Sequence, residues 1–583
     1  MLIQCPGAMR LGRPFGVNGT IYQEEVFKLK VDPVTMEIIG SIFESIAREM
    51  GIALMRTAYS TIIREEKDFS AAIYDRHARL LGQAEHCPGH QGTLSYCAKY
   101  IVNELKMQLS PEDIIIHNHP YLGGTHHPDI MIFKPIFYGD ELVGIAGSTG
   151  HHLDVGGNAP GSMASHSTDV WQEGLLIPPL KLFEGGRPSH ALHEMIRKNI
   201  RVPEKTMGDI RAQISAASIG ERRLLQVIKR YGVASFYEIV EEYFDNSERL
   251  MRADLSRIPP GDYEEEGFLD NDGFSDDPVR INVKLTFKEG GVTVDFTGTS
   301  PQREGPFNCS ESSVFNAVFC GIRYLVNPLI FVNEGCYRTV KIIAPEGTVV
   351  RPIFPAPLSG RVHTLERITN TILLAFSKAS PEMAVGSSHA HLTANAIGGR
   401  TEDNRKQYVF FEILGGGWGA TAEHDGNSAV YCNLGNCLDL PVEAIELEHP
   451  EIRVERYELI PDSGGAGKYR GGLGIRRDIR FLRGPGYLST RSDAQKFPPR
   501  GVQEGKDGTP ARYFLRRGDK TIKLSSKNTN FRLESGDYLI FETPGAGGYG
   551  DPRKRDIDKI KDDLKQGYIT LEGAERDYHF KGN

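Results

Sequence analysis

The strongest constraint on the fold is a change of hydrophobic period close to residue 261. Ahead of it lie helical stretches in which apolar residues recur every three or four positions; from about 262 apolar and polar residues alternate. Asp32-Pro33 opens the first helix, with Asp as the cap and Pro at the first helical position. Ile39, Ile42, Phe43, Ile46, Met50 and Ala53 then trace one buried face. Two more helical stretches lie near 100 and near 210–250, the second reading RAQISAASIGERRLLQVIKRYG and then FYEIVEEYFDNSERLMR. Beyond the change, VRINVKLTF and GVTVDFTGT alternate around Lys288-Glu289-Gly290-Gly291, the pattern of a hairpin. Further β-rich segments run to about 550, interrupted by a helix near 365–379, and DPRKRDIDKIKDDLKQG supplies a last helix. No regular βαβ rhythm links these elements. The expected class is α+β: a large multi-layer chain with a helical N-terminal part and mixed, β-rich middle and C-terminal parts. The expected divisions are a loose arm over 1–30, an α/β region over 31–260, a β-rich region with interspersed helices over 261–552 and a helical tail over 553–583.

Single cores rarely grow past about 300 residues, so 583 residues imply two or three packed units. The 68 basic and 76 acidic side chains leave a net charge of -8, which argues against a nucleic-acid or anionic-membrane surface. No apolar run reaches the roughly 18 residues of a membrane span, and MLIQCPGAMRLGRPFGVNG lacks the apolar core of a secretory signal. A cytoplasmic location is the expectation. Eight cysteines without a CxxC pair are too few for a disulfide scaffold and read as buried free thiols.

Three nucleotide or nucleophile motifs fail on inspection. GAGGYG follows a strand and precedes a helix, but no strand remains after it to complete a dinucleotide-binding unit. GGAGKYRGG has Asp462 where the P-loop glycine belongs and Tyr469 in place of the metal-binding hydroxyl. AGSTG carries Ala146 at the first glycine of a GxSxG elbow. No nucleotide-binding residues are therefore expected, and the Gly-rich C-terminal motifs read as turns where backbones approach closely.

What remains is a repeated H-x-x-D. In GGTHHPDI it is His126 and Asp129; in GSTGHHLDVGG it is His151 and Asp154. The strand-like stretches IMIFKPIF and ELVGIAG lie between them, so a hairpin would bring the two motifs together. Imidazole with carboxylate suits a divalent ion such as zinc or manganese. In REEKDFS, Asp68 precedes an apolar strand and is the acid expected to point inward.

At these residues the chain resembles the hydantoinase B/oxoprolinase family, from about residue 32 to 580. The markers are EKDFSAAIYD, AEHCPGHQGTL, GGTHHPD, HHLDVGGNAPGSM, QEGLLIPPLKL, GDIRAQISA, DFTGTSPQ, NEGC, ERYELIPDSGGAGKYRGGLG and TPGAGGYGDP. The resemblance implies a metal site of Asp68, His126, Asp129 and His151 within the 31–260 region. Asp154 and His152 would lie outside the ligand set, orienting His151 or accepting a proton. The family commonly has NDPY where this chain has NHPY, so His119 replaces a carboxylate near the site.

The resemblance also implies a hydantoinase A-like partner that binds ATP and phosphorylates the substrate oxygen, hence a hetero-oligomer acting on a small molecule. This chain would hold a zinc or manganese ion and hydrolyse an activated hydantoin, oxoproline or lactam, with Asp129 or Asp154 taking the proton. A ketone carboxylase of the acetone or acetophenone type, or a subunit that only organises the complex, are the alternatives.

Overall fold

The computed structural model describes residues 31–582 apart from 85, 402–405, 432 and 436. The expected arm over 1–30 lies outside the described residues. Helix α1 (Pro33–Thr57) begins where the capping signal predicts, with the Asp32 carboxylate accepting from Thr35 N. It is followed by β1 (Phe69–Asp75), β2 (Leu80–Ala84), α2 (Gln91–Lys99), β3 (Ile114–His117), β4 (Asp129–Tyr138) and β5 (Glu141–His151). Short strands β6 (Leu180–Glu184) and β7 (Arg187–Pro188) lead to α3 (His190–Asn199), α4 (Pro203–Tyr231) and α5 (Val233–Leu255). These seven strands form one sheet in the order β2-β1-β5-β4-β3-β6-β7.

Strand β1 is buried at every position, as a strand covered on both faces must be. On one face Ile39, Phe43, Ile46 and Met50 of α1 pack with Ala216 and Leu224 of α4 and Phe236 of α5 against Ala71 and Ile73. On the other face Ala72, Tyr74, Met131 and Phe133 join a larger core. That core is completed by β8 (Gly261–Leu269), β9 (Val279–Lys288), β10 (Gly291–Asp295), α6 (Glu311–Arg323), α7 (Glu334–Tyr337), β11 (Val340–Ile343) and α8 (Arg361–Ala379). The hydrophobic core therefore runs continuously across residue 260. The β9–β10 connection is the hairpin expected from alternation. Glu289 and Gly290 have φ of 53° and 67°, the left-handed pair that a two-residue turn requires.

The rest of the chain is largely β. Strands β12 (Thr393–Arg400) and β13 (Gln407–Leu414) precede α9 (Val442–Glu448), β14 (Ile452–Leu459), β15 (Ile475–Phe481) and β16 (Gly486–Arg491). Then come β17 (Arg512–Arg517), β18 (Lys520–Leu524), β19 (Lys527–Leu533) and β20 (Tyr538–Glu542). They form two sheets, β13-β12-β16-β19 and β14-β15-β20-β17-β18. Ile397, Phe410, Ile479, Phe481, Tyr513 and Leu539 bury the apolar faces of both. The chain ends in α10 (Ile557–Gln566) and α11 (Leu571–Tyr578), docked through Ile560, Ala574 and Tyr578 onto Ala466. Helices and strands segregated in this way make an α+β fold. Among the described residues no helix is long and apolar enough to cross a membrane.

Candidate metal centre

Strands β4 and β5 pair antiparallel, and Asp129 at the start of one faces His151 at the end of the other. Phe69 of β1 pairs with Gly150, which sets Asp68 beside His151; the amide of His151 donates to the Asp68 carbonyl at 3.0 Å. His126 sits in the turn before β4, held by Asp129 N donating to its carbonyl at 3.1 Å. Three neighbouring strand ends therefore deliver all four residues expected to bind the ion, and all four are buried.

His126, Asp129 and His151 form the tight part of the group. Asp129 Oδ2 lies 2.9 Å from His126 Nδ1, and Oδ1 lies 3.1 Å from His151 Nδ1. Asp68 stands further off, with Oδ2 4.0 Å from His151 Nδ1. Two residues that sequence reasoning did not assign complete the surroundings. His90, from the turn before α2, places Nε2 3.3 Å from Asp129 Oδ2 and 3.8 Å from Asp68 Oδ1. Arg361, the first residue of α8, donates from Nη2 to Asp129 Oδ2 at 2.6 Å and from Nε to His126 Nδ1 at 3.1 Å. Burial opposes ionisation of Asp129, yet the His126 and His90 rings beside it hold its carboxyl well below the usual range.

These residues fit a divalent cation. Asp129 Oδ2 with His126 Nδ1, and Asp129 Oδ1 with His151 Nδ1, are gathered at 2.9 and 3.1 Å, a spacing at which nitrogen and oxygen donors can share one ion. Asp68 Oδ1 and His151 Nε2 are buried without hydrogen-bond partners, a costly arrangement for polar atoms unless something else satisfies them. Nitrogen and oxygen donors of this kind suit zinc or manganese.

The group opens into a cavity with about 570 Å³ of empty space, part of it continuous with solvent. Its wall includes Arg361, His363, Phe411, Leu392 and Arg491. Phe411 stacks on the His151 ring at 5.3 Å between centroids. Arg361 Nη1 has no partner. His363 Nδ1 lies 3.2 Å from the Gly360 carbonyl, a contact only a protonated Nδ1 can make as a hydrogen bond, and Nε2 is unpartnered. Burial lowers the pKa of His363 to about 4, so the ring is neutral with a free lone pair at Nε2.

The remaining expected residues lie elsewhere. Asp154 is wholly buried, and its oxygens accept from the amides of Gly156, Gly161 and Arg201 and from Arg201 Nη1 at 2.9 Å. It closes its own loop and does not line the cavity. His152 follows His151 in an extended chain, so its ring turns to the opposite face and bonds Gln213 of α4 at 3.0 Å. His119 caps a short 3-10 turn: its Nδ1 accepts from Tyr121 N at 3.2 Å while the ring stacks on Phe354 at 6.0 Å. Asp is a favoured residue at such a cap, so the change from NDPY keeps the acceptor without a charge. Asp129, with both oxygens engaged, is not free to act as a base.

Comparison with known proteins supplies the family. The chain matches the Hydantoinase B/oxoprolinase family model over residues 32–552. It is 35% identical over 567 residues to the B-type chain of a putative D-/L-hydantoinase from a Pseudomonas species, covering 94% of this chain and 95% of that one. The crystal structure of ATP-dependent caprolactamase from Pseudomonas jessenii superposes with a TM-score of 0.89 at 28% identity, over 95% of this chain and 97% of that one. Nucleotide-free acetone carboxylase shares the fold at a TM-score of 0.87 and 19% identity, over 94% of this chain and 79% of that one. With the family model matched across nearly its whole length, this protein belongs to the hydantoinase B/oxoprolinase family.

Proposed function

We propose that this chain is the metal-binding catalytic subunit of an ATP-dependent complex that opens a cyclic amide or imide of the hydantoin, oxoproline or lactam type. The observation that carries the reading is the juxtaposition, in one buried cavity, of the His126–Asp129–His151 group with two unsatisfied groups, Arg361 Nη1 and His363 Nε2. Relatives named as a hydantoinase component and an ATP-dependent caprolactamase support cyclic amides as the substrate class. The likeness to acetone carboxylase is one of fold.

Asp68, His126, Asp129 and His151 would hold a zinc or manganese ion, which when bound supplies Lewis-acid polarisation of a substrate oxygen. Arg361 binds the anionic end of the substrate. Its free Nη1 and the N-terminal turn of the 19-residue helix α8 both present positive charge to the cavity. A phosphorylated substrate oxygen, made by an ATP-binding partner of the hydantoinase A type, matches that charge. His363 accepts the proton at Nε2, because Nδ1 keeps its own proton on the Gly360 carbonyl. The apolar side of the cavity, Leu392, Phe411 and Ile413, excludes competing water from the ring.

The test supplies this subunit and its A-type partner with ATP, labelled bicarbonate and a panel of hydantoin, lactam and ketone substrates. Ring opening without incorporation of label is expected. Label fixed into a keto acid would place the chain among the carboxylases. Turnover by a well-folded complex from which metal has been removed would overturn the metal-dependent reading altogether.

A further inference from the structure

Asp68 belongs to a second group of side chains besides the one that faces His151. One of its carboxylate oxygens and the sulfurs of Cys87 and Cys437 all lie within 4.8 Å of one another, and all three residues are buried. Three segments remote in sequence are pinned together to make this happen. Cys87 N donates to the Phe69 carbonyl at 3.0 Å, Gly89 N to the Leu434 carbonyl at 2.6 Å, and Leu438 N to the Glu66 carbonyl at 2.9 Å. The three donor atoms are thus carried on backbone that is already fixed.

Ordinary core thiols behave as small apolar groups and need no partner. A buried carboxylate oxygen does, and Asp68 Oδ1 has no hydrogen-bond partner. The adjacent His90 is buried as well, with Nδ1 unpartnered. Two sulfurs and a carboxylate oxygen supply three donors of the kind that zinc binds, with His90 beside them.

We propose that Asp68, Cys87 and Cys437 form a second cation site, adjoining the His126–Asp129–His151 group and sharing Asp68 with it, that takes a thiophilic divalent ion of the zinc class. Both cysteines bind as thiolates, so uptake of the ion releases two protons to solvent and leaves two metal–sulfur bonds. Thiolate donors select zinc over manganese or magnesium. The ion ties the 87–90 turn and the 434–438 segment to the strand end that carries Asp68, and so fixes the far wall of the cavity. This site does not rest on the reaction proposed above.

The test uses the full-length chain, kept reduced, stripped with a chelator and reloaded with cobalt(II) or zinc alone. Cobalt is expected to give a thiolate-to-metal charge-transfer band in the near ultraviolet. The band should persist in the His126→Ala/His151→Ala variant and vanish in Cys87→Ser/Cys437→Ser. Zinc should shield Cys87 and Cys437 of the wild-type chain from alkylation, read by peptide mass spectrometry, which decides the matter even where the serine variant does not fold. A wild-type chain saturated with cobalt that shows no such band, or thiols that alkylate equally fast with and without zinc, would overturn the site. Loss of metal from the histidine variant with the band intact would mark the two sites as separate.

Discussion

Replacing Arg361 by Met tests how the cavity balances its charges. Arg361 is 1% exposed and Asp129 is fully buried, and the guanidinium bridges Asp129 Oδ2 and His126 Nδ1. Met keeps much of the side-chain volume, so the change removes charge more than packing. Removing one partner of a buried pair typically costs about 3–5 kcal/mol, because the other charge is left uncompensated. That cost applies to the metal-free chain. On the proposed ligand set an ion would use lone pairs of Asp129 and His126, so in the metal-loaded chain Asp129 would still have a cation beside it and much of the loss would disappear. The two states are linked. If about 3 kcal/mol is recovered on binding, affinity for the ion rises roughly 100-fold, at about 1.4 kcal/mol per factor of ten. Arg361→Met should therefore bind zinc more tightly while melting at a lower temperature without it. Turnover should fall by about 10²–10³, the usual cost of deleting one anion-stabilising donor. Calorimetric melting with and without zinc, together with competition against a chromophoric chelator, measures each quantity. Equal destabilisation in both states, with unchanged zinc affinity, would refute the idea that arginine and ion share ligand atoms.

Three further outcomes follow from particular contacts. Asp154→Ala leaves Arg201 and three amides without their acceptor and should destabilise the chain by about 3–5 kcal/mol, with metal content unchanged; loss of metal in a folded variant would return Asp154 to the site. His119→Asp restores a carboxylate acceptor at the same cap and should alter stability by less than about 1 kcal/mol, with zinc stoichiometry intact. Glu173 is buried under the 358–359 backbone, and burial, opposed by hydrogen bonds from Leu358 and Ser359, raises its pKa to about 7. Its folded state thus keeps a proton that the unfolded chain gives up near pH 4.5, so stability falls as pH rises from about 4.5 to about 7. Measured as melting temperature, Glu173→Gln should gain on wild type across that window, and a gap independent of pH would refute the assignment.

The clustering of His126, Asp129 and His151 was legible in sequence where local rules carry it. A hairpin between two H-x-x-D motifs brings its ends together, and Asp129 and His151 are indeed register partners. Asp68 could be expected inward because a wholly buried strand follows it, but its neighbour Glu66 is buried as well, which the charged run REEKD does not announce. The repeat of the motif misleads at Asp154. The same spacing begins a strand in one case and leaves one in the other, and beyond His151 the chain turns through Gly156 and Gly157 at positive φ so that the carboxylate folds back on its own loop. Arg361 lies 232 residues from Asp129, and nothing local to GRVHTLER announces that its first side chain will meet a carboxylate so remote. His90 sits within AEHCPGHQGTL, but its role depends on a turn whose direction only the α2 packing sets. In the fold, helix starts and the β9–β10 hairpin follow from caps and turn residues, whereas the order of seven strands in the first sheet reflects long-range pairing that no window of sequence contains.

The glycine-rich segments of the C-terminal half have a kinetic consequence. Residues 415–430, 463–474, 499–508 and 544–550 lie backbone against backbone. Ala546 N donates to the Gly472 carbonyl, Gly472 N to Trp418 and Gly548 N to Lys506. A Cβ on Gly417, Gly471, Gly505 or Gly547 would overlap a carbonyl of another of these segments. With so little side chain to cluster, such segments gain almost nothing from early collapse and everything from final registry. Their assembly must wait until 544–550, the last of the four to leave the ribosome, threads between the others. Contacts of such long sequence separation form slowly. These four segments are therefore expected to reach their final registry late, after the sheets around them have formed.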